Sequence, residues 1–71
     1  MSLKNLGLND RQINALDYMA RENKSLTVKE YVDLTNVSRP TAFRDLNKFV
    51  ELGLLESKYM GSFKEYSIIV Y

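Results

Sequence analysis

The chain has 71 residues, a formal net charge of +1, no cysteine and no histidine. That length is one small domain with a modest core and no disulfide to support it. Without Cys or His, most zinc sites and the usual general base are excluded, and no apolar run approaches the roughly 20 residues that span a bilayer.

The first seven residues show no clear hydrophobic period, so 1–7 reads as an N-terminal extension ahead of a domain at 8–71. Met1-Ser2-Leu3 is compatible with an expression scar, and so with a segment taken from a longer protein. The first helix is predicted to start at Asn9 as N-cap. An Asn side chain accepts an orphan N–H of the first turn, and Gln12 at N3 returns the bond to form a capping box. Leu8 and Ile13 flank that cap as a hydrophobic staple. Ile13, Leu16, Met19 and Ala20 fall on one helical face, and Asn23-Lys24 ends the helix.

The second helix repeats the start signal, with Thr27 as N-cap, Glu30 at N3 and a staple from Leu26 to Tyr31. Tyr31 and Leu34 form its apolar stripe, with Val28 or Val32 beside them, and it stops near Leu34. Ser25-Leu26 just before it is short enough to pair as a strand of one or two residues. Thr35-Asn36-Val37 is a three-residue turn, in which Asn36 is best able to adopt a left-handed conformation.

Ser38 caps the third helix, and Pro40 lies in its first turn, where the missing N–H breaks no helical bond. Ala42, Leu46 and Phe49 make the i, i+4, i+7 inner stripe. Gly53 stands where a helix ending near Glu51 wants a residue of positive φ. Beyond it the period shortens to 2. Leu55, Ser57 and Tyr59 share a strand face, Gly61-Ser62 is the turn, and Glu65 to Tyr71 reads as a β-branched and aromatic second strand. Tyr66, Ile68 and Val70 are its core positions. Two helices joined by a three-residue turn are a helix-turn-helix. With the hairpin as wing, the fold class is α+β: a three-helix winged helix-turn-helix.

Residues 9–37 carry four basic and five acidic groups, whereas 38–64 carry five basic and three acidic. The small basic excess therefore sits with the third helix and the hairpin. With Ala42, Leu46 and Phe49 inward, Arg39, Thr41, Arg44 and Lys48 project elsewhere. N-terminal residues of such a helix meet base edges in the major groove. Arginine offers a planar donor fork to guanine or phosphate. Ser38 and Thr41 are short hydroxyls suited to phosphate, and the helix N-terminus favours an anion. Lys58 and Lys64 on the wing would touch adjacent phosphates. Asp45 opposes DNA by its charge and reads as structural, pairing with Arg44 or Lys48 or capping backbone.

Val37-Ser38-Arg39-Pro40-Thr41-Ala42-Phe43-Arg44-Asp45-Leu46, followed by Glu51-Leu52-Gly53-Leu54-Leu55, resembles the helix-turn-helix of DeoR-type and related bacterial winged-helix regulators. Leu8-Asn9-Asp10-Arg11-Gln12 is similar to the C-terminal winged-helix tail of regulators described as ATP-dependent DNA-helicase-like. The likeness spans about residues 8–70. It implies Thr41 and Arg44 as DNA contacts, Ser38 near a phosphate, and any ATPase or effector domain outside this segment. Two places depart from the pattern. Phe43 stands where the family commonly has a polar or basic residue. Tyr59, Met60 and Phe63 stand where many wings carry Arg, Lys and Gly. Phe43 is either partly buried against the second helix or an exposed contact. The wing residues pack the hairpin, meet a partner protein, or stack on sugar or thymine methyls.

Two function classes follow. The first is a double-stranded DNA-binding module of a bacterial-type transcriptional regulator, cytoplasmic, working as a homodimer or within a larger parent. The second is a winged-helix protein-interaction or dimerisation module without DNA binding, with Phe43, Tyr59, Met60 and Phe63 as its surface. Neither is an enzyme: no nucleophile–His–acid set, Gly-rich phosphate loop or carboxylate cluster of metal spacing is present. No membrane, metal or cofactor is expected.

Overall fold

The structure is a computed structural model, described for residues 6–69. The expectations for Met1-Ser2-Leu3, Val70 and Tyr71 lie outside the described residues. Helices α1 (Asp10–Glu22), α2 (Val28–Thr35) and α3 (Arg39–Glu51) precede strands β1 (Leu55–Met60) and β2 (Phe63–Ile68). The strands pair antiparallel, from Leu55 opposite Ile68 to Met60 opposite Phe63. This is the expected winged helix-turn-helix.

The caps form as their chemistry requires. Both capping boxes are closed, Asn9 with Gln12 and Thr27 with Glu30. Asn23 and Asn36 end α1 and α2 at φ 52° and 59°, a region that Asn enters more readily than most residues. The turn is Asn36-Val37-Ser38, one residue later than predicted, because Thr35 completes the last turn of α2 and its hydroxyl donates to the Tyr31 carbonyl at 2.8 Å. At the end of α3, Gly53 (φ 75°) donates to Val50 and Leu54 donates to Phe49. These two bonds make a Schellman close that needs the glycine. The second strand starts at Phe63, two residues earlier than predicted, because the Gly61-Ser62 turn lets pairing begin at once.

Leu26 exchanges two backbone bonds with Tyr66, at 2.9 and 2.8 Å, as a single antiparallel bridge. The Ser25 and Ser67 hydroxyls meet beside it at 2.8 Å. The loop before α2 is thereby stitched to β2, which fixes the wing against the helices. Leu8, Leu16, Met19, Leu26, Tyr31, Leu46, Phe49, Leu55 and Tyr66 fill the common core. Each large side chain buried there contributes about 1.5–3 kcal/mol.

Three expected details differ. Leu34 is exposed: at about 100° per residue it falls well to one side of the inner face set by Tyr31, Thr35, Val28 and Val32. In α1 the inward face is Gln12, Ala15, Leu16 and Met19, while Ala20 is exposed and Ile13 flanks. Asp45 pairs with neither Arg44 nor Lys48. It lies on the inner edge of α3, near the line of Ala42, and is buried facing α1 and α2.

That carboxylate is fully used. Arg11 reaches Oδ2 through Nε at 3.1 Å and Nη2 at 2.9 Å. Gln12 Nε2 donates to Oδ1 at 2.8 Å, and the Tyr31 hydroxyl donates to Oδ2 at 2.8 Å. One residue of α3 is thus held by two residues of α1 and one of α2. Burial alone would lower the Arg11 pKa, but the hydrogen bond and charge of Asp45 outweigh it and raise the value. Burial, then the same carboxylate, push the Tyr31 hydroxyl well above the ordinary tyrosine range.

Two tyrosines give opposite expectations. Tyr31→Phe removes a donor to a buried charge and should destabilise by about 1.5–3 kcal/mol in urea unfolding. Tyr66 is equally buried, but its hydroxyl has no partner among the described residues. Tyr66→Phe should therefore be neutral or stabilising in the same assay. The Tyr31 penalty is also pH-dependent. Its hydroxyl is protonated in both states below about pH 10, so the contribution is complete there. Above that pH the unfolded tyrosine ionises while the folded one keeps its proton, so the gap between wild type and Tyr31→Phe should narrow as pH rises.

Candidate nucleic-acid interface

Helix α3 presents its first two turns to solvent because the Asn36-Val37-Ser38 turn is tight and the inner stripe is narrow. Ser38 Oγ accepts from the Thr41 amide at 3.4 Å and donates to Thr41 Oγ1 at 3.1 Å. The two hydroxyls predicted to meet phosphate therefore lie together at the helix N-terminus. Ser38 and Arg39 are exposed and Thr41 is half-buried. Arg44 is exposed and makes no ion pair among the described residues. The Asp45 network leaves it so: Arg11 occupies the carboxylate next to it in sequence. Arg44 thus keeps an uncompensated guanidinium on the outer face.

Lys48 is placed differently. It is half-buried, and its Nζ donates to the Gly7 carbonyl at 3.2 Å. The last cation of the predicted row is thus tied to the segment before α1, one turn away from Arg44. Phe43 is 49% exposed on the outer side of α3.

On the wing, alternation puts the two lysines on opposite faces. Lys58 stands opposite Glu65, on the face that also carries Met60 and Phe63. Lys64 stands opposite Tyr59, on the face of the buried Tyr66. Its ammonium lies 5.4 Å from the Tyr59 ring centre and 5.6 Å from that of Tyr66, within cation–π range. Tyr59, Met60 and Phe63 are all exposed, Tyr59 most of all at 77%. Tyr59 meets Lys64 across the hairpin, and Met60 stands opposite Phe63.

The fold brings Arg39, Lys64 and Phe63 to one cleft, together with Thr27, Val28 and Lys29 from the start of α2. Lys29 was not singled out by the sequence, because α2 carries no basic row and Lys29 gains meaning only through what packs beside it. Arg11 was likewise not singled out. Its signal was indirect: a carboxylate on the inner edge of α3 needs a partner from another element. Among the described residues no group of three or more Asp or Glu side chains is placed to hold a metal ion, and no helix is long and apolar enough to cross a membrane.

Relatives share this fold. The MarR family model matches residues 6–58. No curated protein matches the chain in sequence. A crystal structure of a protein from the thermoacidophilic archaeon Sulfolobus tokodaii superposes with a TM-score of 0.79 at 28% identity, over 90% of this chain and 64% of that one. A homodimeric winged helix-turn-helix DNA-binding domain from Mycobacterium bovis, described as a possible ArsR-family transcriptional regulator, superposes with a TM-score of 0.77 at 25% identity. That match covers 92% of this chain and 58% of the other, so the chain spans less than two thirds of either solved relative. Such family and fold are those of regulator DNA-binding domains, which are generally not enzymes. The chain belongs to the MarR family and has its winged helix-turn-helix fold.

Proposed function

We propose that the module binds double-stranded DNA with residues 38–48 in the major groove, as part of a bacterial-type transcriptional regulator acting in the cytoplasm. The observation that carries this is the outer face of α3: Arg44 exposed and without an ion pair among the described residues, one turn from the clustered Ser38 and Thr41 hydroxyls. Arg44 takes the base edges, and Thr41 meets phosphate beside Ser38. Ser38 and Arg39 take phosphate at the helix N-terminus. Lys48 supports from the end of the row, and Lys58 and Lys64 serve flanking phosphates from the two faces of the wing.

A single module makes few phosphate contacts, so alone it binds weakly and with strong salt dependence. Pairing supplies the missing avidity, and the homodimeric state of the Mycobacterium bovis domain supports a homodimer here. An effector-bearing parent protein belongs to the same reading. So does the likeness to DeoR-type and helicase-like regulators, which rests on the motif residues alone.

A second reading has one observation in its favour. Phe43, Tyr59, Met60 and Phe63 are all exposed, which is unusual apolar area for a surface that meets only a polyanion. On that reading these residues meet a protein.

Fluorescence anisotropy with a labelled mixed-sequence duplex at about 50 and 200 mM salt separates the two. Arg44→Ala should weaken binding by about 1–3 kcal/mol and relax base preference at one position. Phe43→Ala should leave the circular dichroism spectrum and the duplex affinity unchanged. Absence of salt-sensitive binding by the dimeric or full-length protein would sink the DNA reading. A strict monomer at high concentration in sedimentation would count against pairing.

A further inference from the structure

We infer that the cleft between the start of α2, the start of α3 and the wing is a clasp for one phosphodiester of a DNA strand, with Lys29 as a binding residue of that clasp. Three cations from three elements line it: Lys29 from α2, Arg39 from α3 and Lys64 from β2. No carboxylate is among its lining residues. The nearby Glu30 is outside the lining, its Oε1 accepting from the Thr27 amide at 2.9 Å. None of the three cations makes an ion pair among the described residues.

Like charges that line one concave place repel one another, and no carboxylate in that lining offsets them. An anion in the cleft relieves that repulsion. Lys64 is positioned for the purpose by its neighbours. The Tyr59 and Tyr66 rings hold its ammonium at 5.4 and 5.6 Å without neutralising it. Val28 and the half-exposed Phe63 supply apolar wall beside the cations. A phosphodiester flanked by sugar has this combination, a single negative charge next to apolar ribose carbons. An inorganic phosphate has only the charge.

The clasp rests on the DNA reading above, since it assigns a strand that runs past the N-terminus of α3. It adds two things. Lys29 joins the contact set, and Lys29 and Lys64 serve the same phosphate rather than two. It also gives the apolar Phe63 a role compatible with nucleic acid.

The test is the slope of log affinity against log salt for Lys29→Gln, Lys64→Gln and the triple variant Lys29→Gln/Arg39→Gln/Lys64→Gln, with thermal melts confirming the fold. Lys29 is exposed, so Lys29→Gln leaves folding unaffected even if Lys64→Gln loosens the hairpin. Each phosphate released lowers the slope by about 0.9. The clasp predicts that Lys29→Gln weakens duplex binding several-fold and that the triple variant loses about 0.9 in slope altogether. A loss of about 1.8 or 2.7 would mean two or three separate phosphates and overturn the shared clasp. An unchanged slope and affinity in Lys29→Gln, with Arg44→Ala still weakening binding, would overturn the clasp and leave the DNA reading standing. A wild type that binds no duplex would overturn both. In a parallel arm, amide shifts at Lys29, Arg39 and Lys64 on titration with inorganic phosphate but not with duplex would assign the cleft to a free anion and overturn the strand.

Discussion

Asp45 is the constraint on which the recognition surface depends. It is the buried charged side chain of the described core, and a buried carboxylate is tolerated only when paired and hydrogen-bonded. Arg11, Gln12 and Tyr31 satisfy it together. Because those partners come from α1 and α2, the rotation of α3 about its own axis is set by chemistry rather than by apolar packing alone. Leu46 and Phe49 would tolerate small rotations. A carboxylate with three defined donors does not. A surface pair such as Asp17–Arg21 contributes only about 0.3–0.5 kcal/mol and orients nothing across elements.

The same network decides which charges stay outside. With Asp45 turned inward and its charge matched by Arg11, the acidic residue inside the T-x-x-R-D-L motif no longer faces the groove. Arg44, its neighbour in sequence, is left exposed on the outer face with no ion pair among the described residues. An acidic residue that reads as an obstacle to DNA binding in the sequence is, in the fold, what keeps the basic face basic. The Leu26–Tyr66 bridge does a parallel job for the wing. It brings Lys64 and Phe63 beside the starts of α2 and α3, where Lys29 and Arg39 meet them.

Much of this was legible in the residues. The three N-caps, the left-handed Asn36, the glycine after α3 and the two-residue hairpin turn are local signals, each with a single physical cause, and each places a boundary. The inner stripe of α3 and the Ser25-Leu26 pairing were legible for the same reason. What was not legible depends on packing between elements. Two turns of α2 are too short for periodicity to say whether Leu34 or Thr35 faces the core. Gln12 is read as a cap residue and also serves Asp45. The partner of Asp45 lies 34 positions away in sequence, beyond any local rule. Lys29 acquires a role only when α3 and β2 are set beside it. The departures noted in the sequence, Phe43 and the apolar wing, are exposed in the fold, so aromatic surface lies beside the cations.

The central claim is that α3, held in one rotation by Asp45, is the surface that meets DNA, with the wing and the start of α2 beside it. Amide chemical-shift mapping of the labelled protein on titration with a duplex tests it most directly. Perturbations concentrated at residues 38–48, at the wing between Lys58 and Lys64, and at Lys29 are the predicted result. Perturbations centred on α1 and the Leu54–Ile69 side of the molecule, with residues 38–48 unmoved, would contradict it.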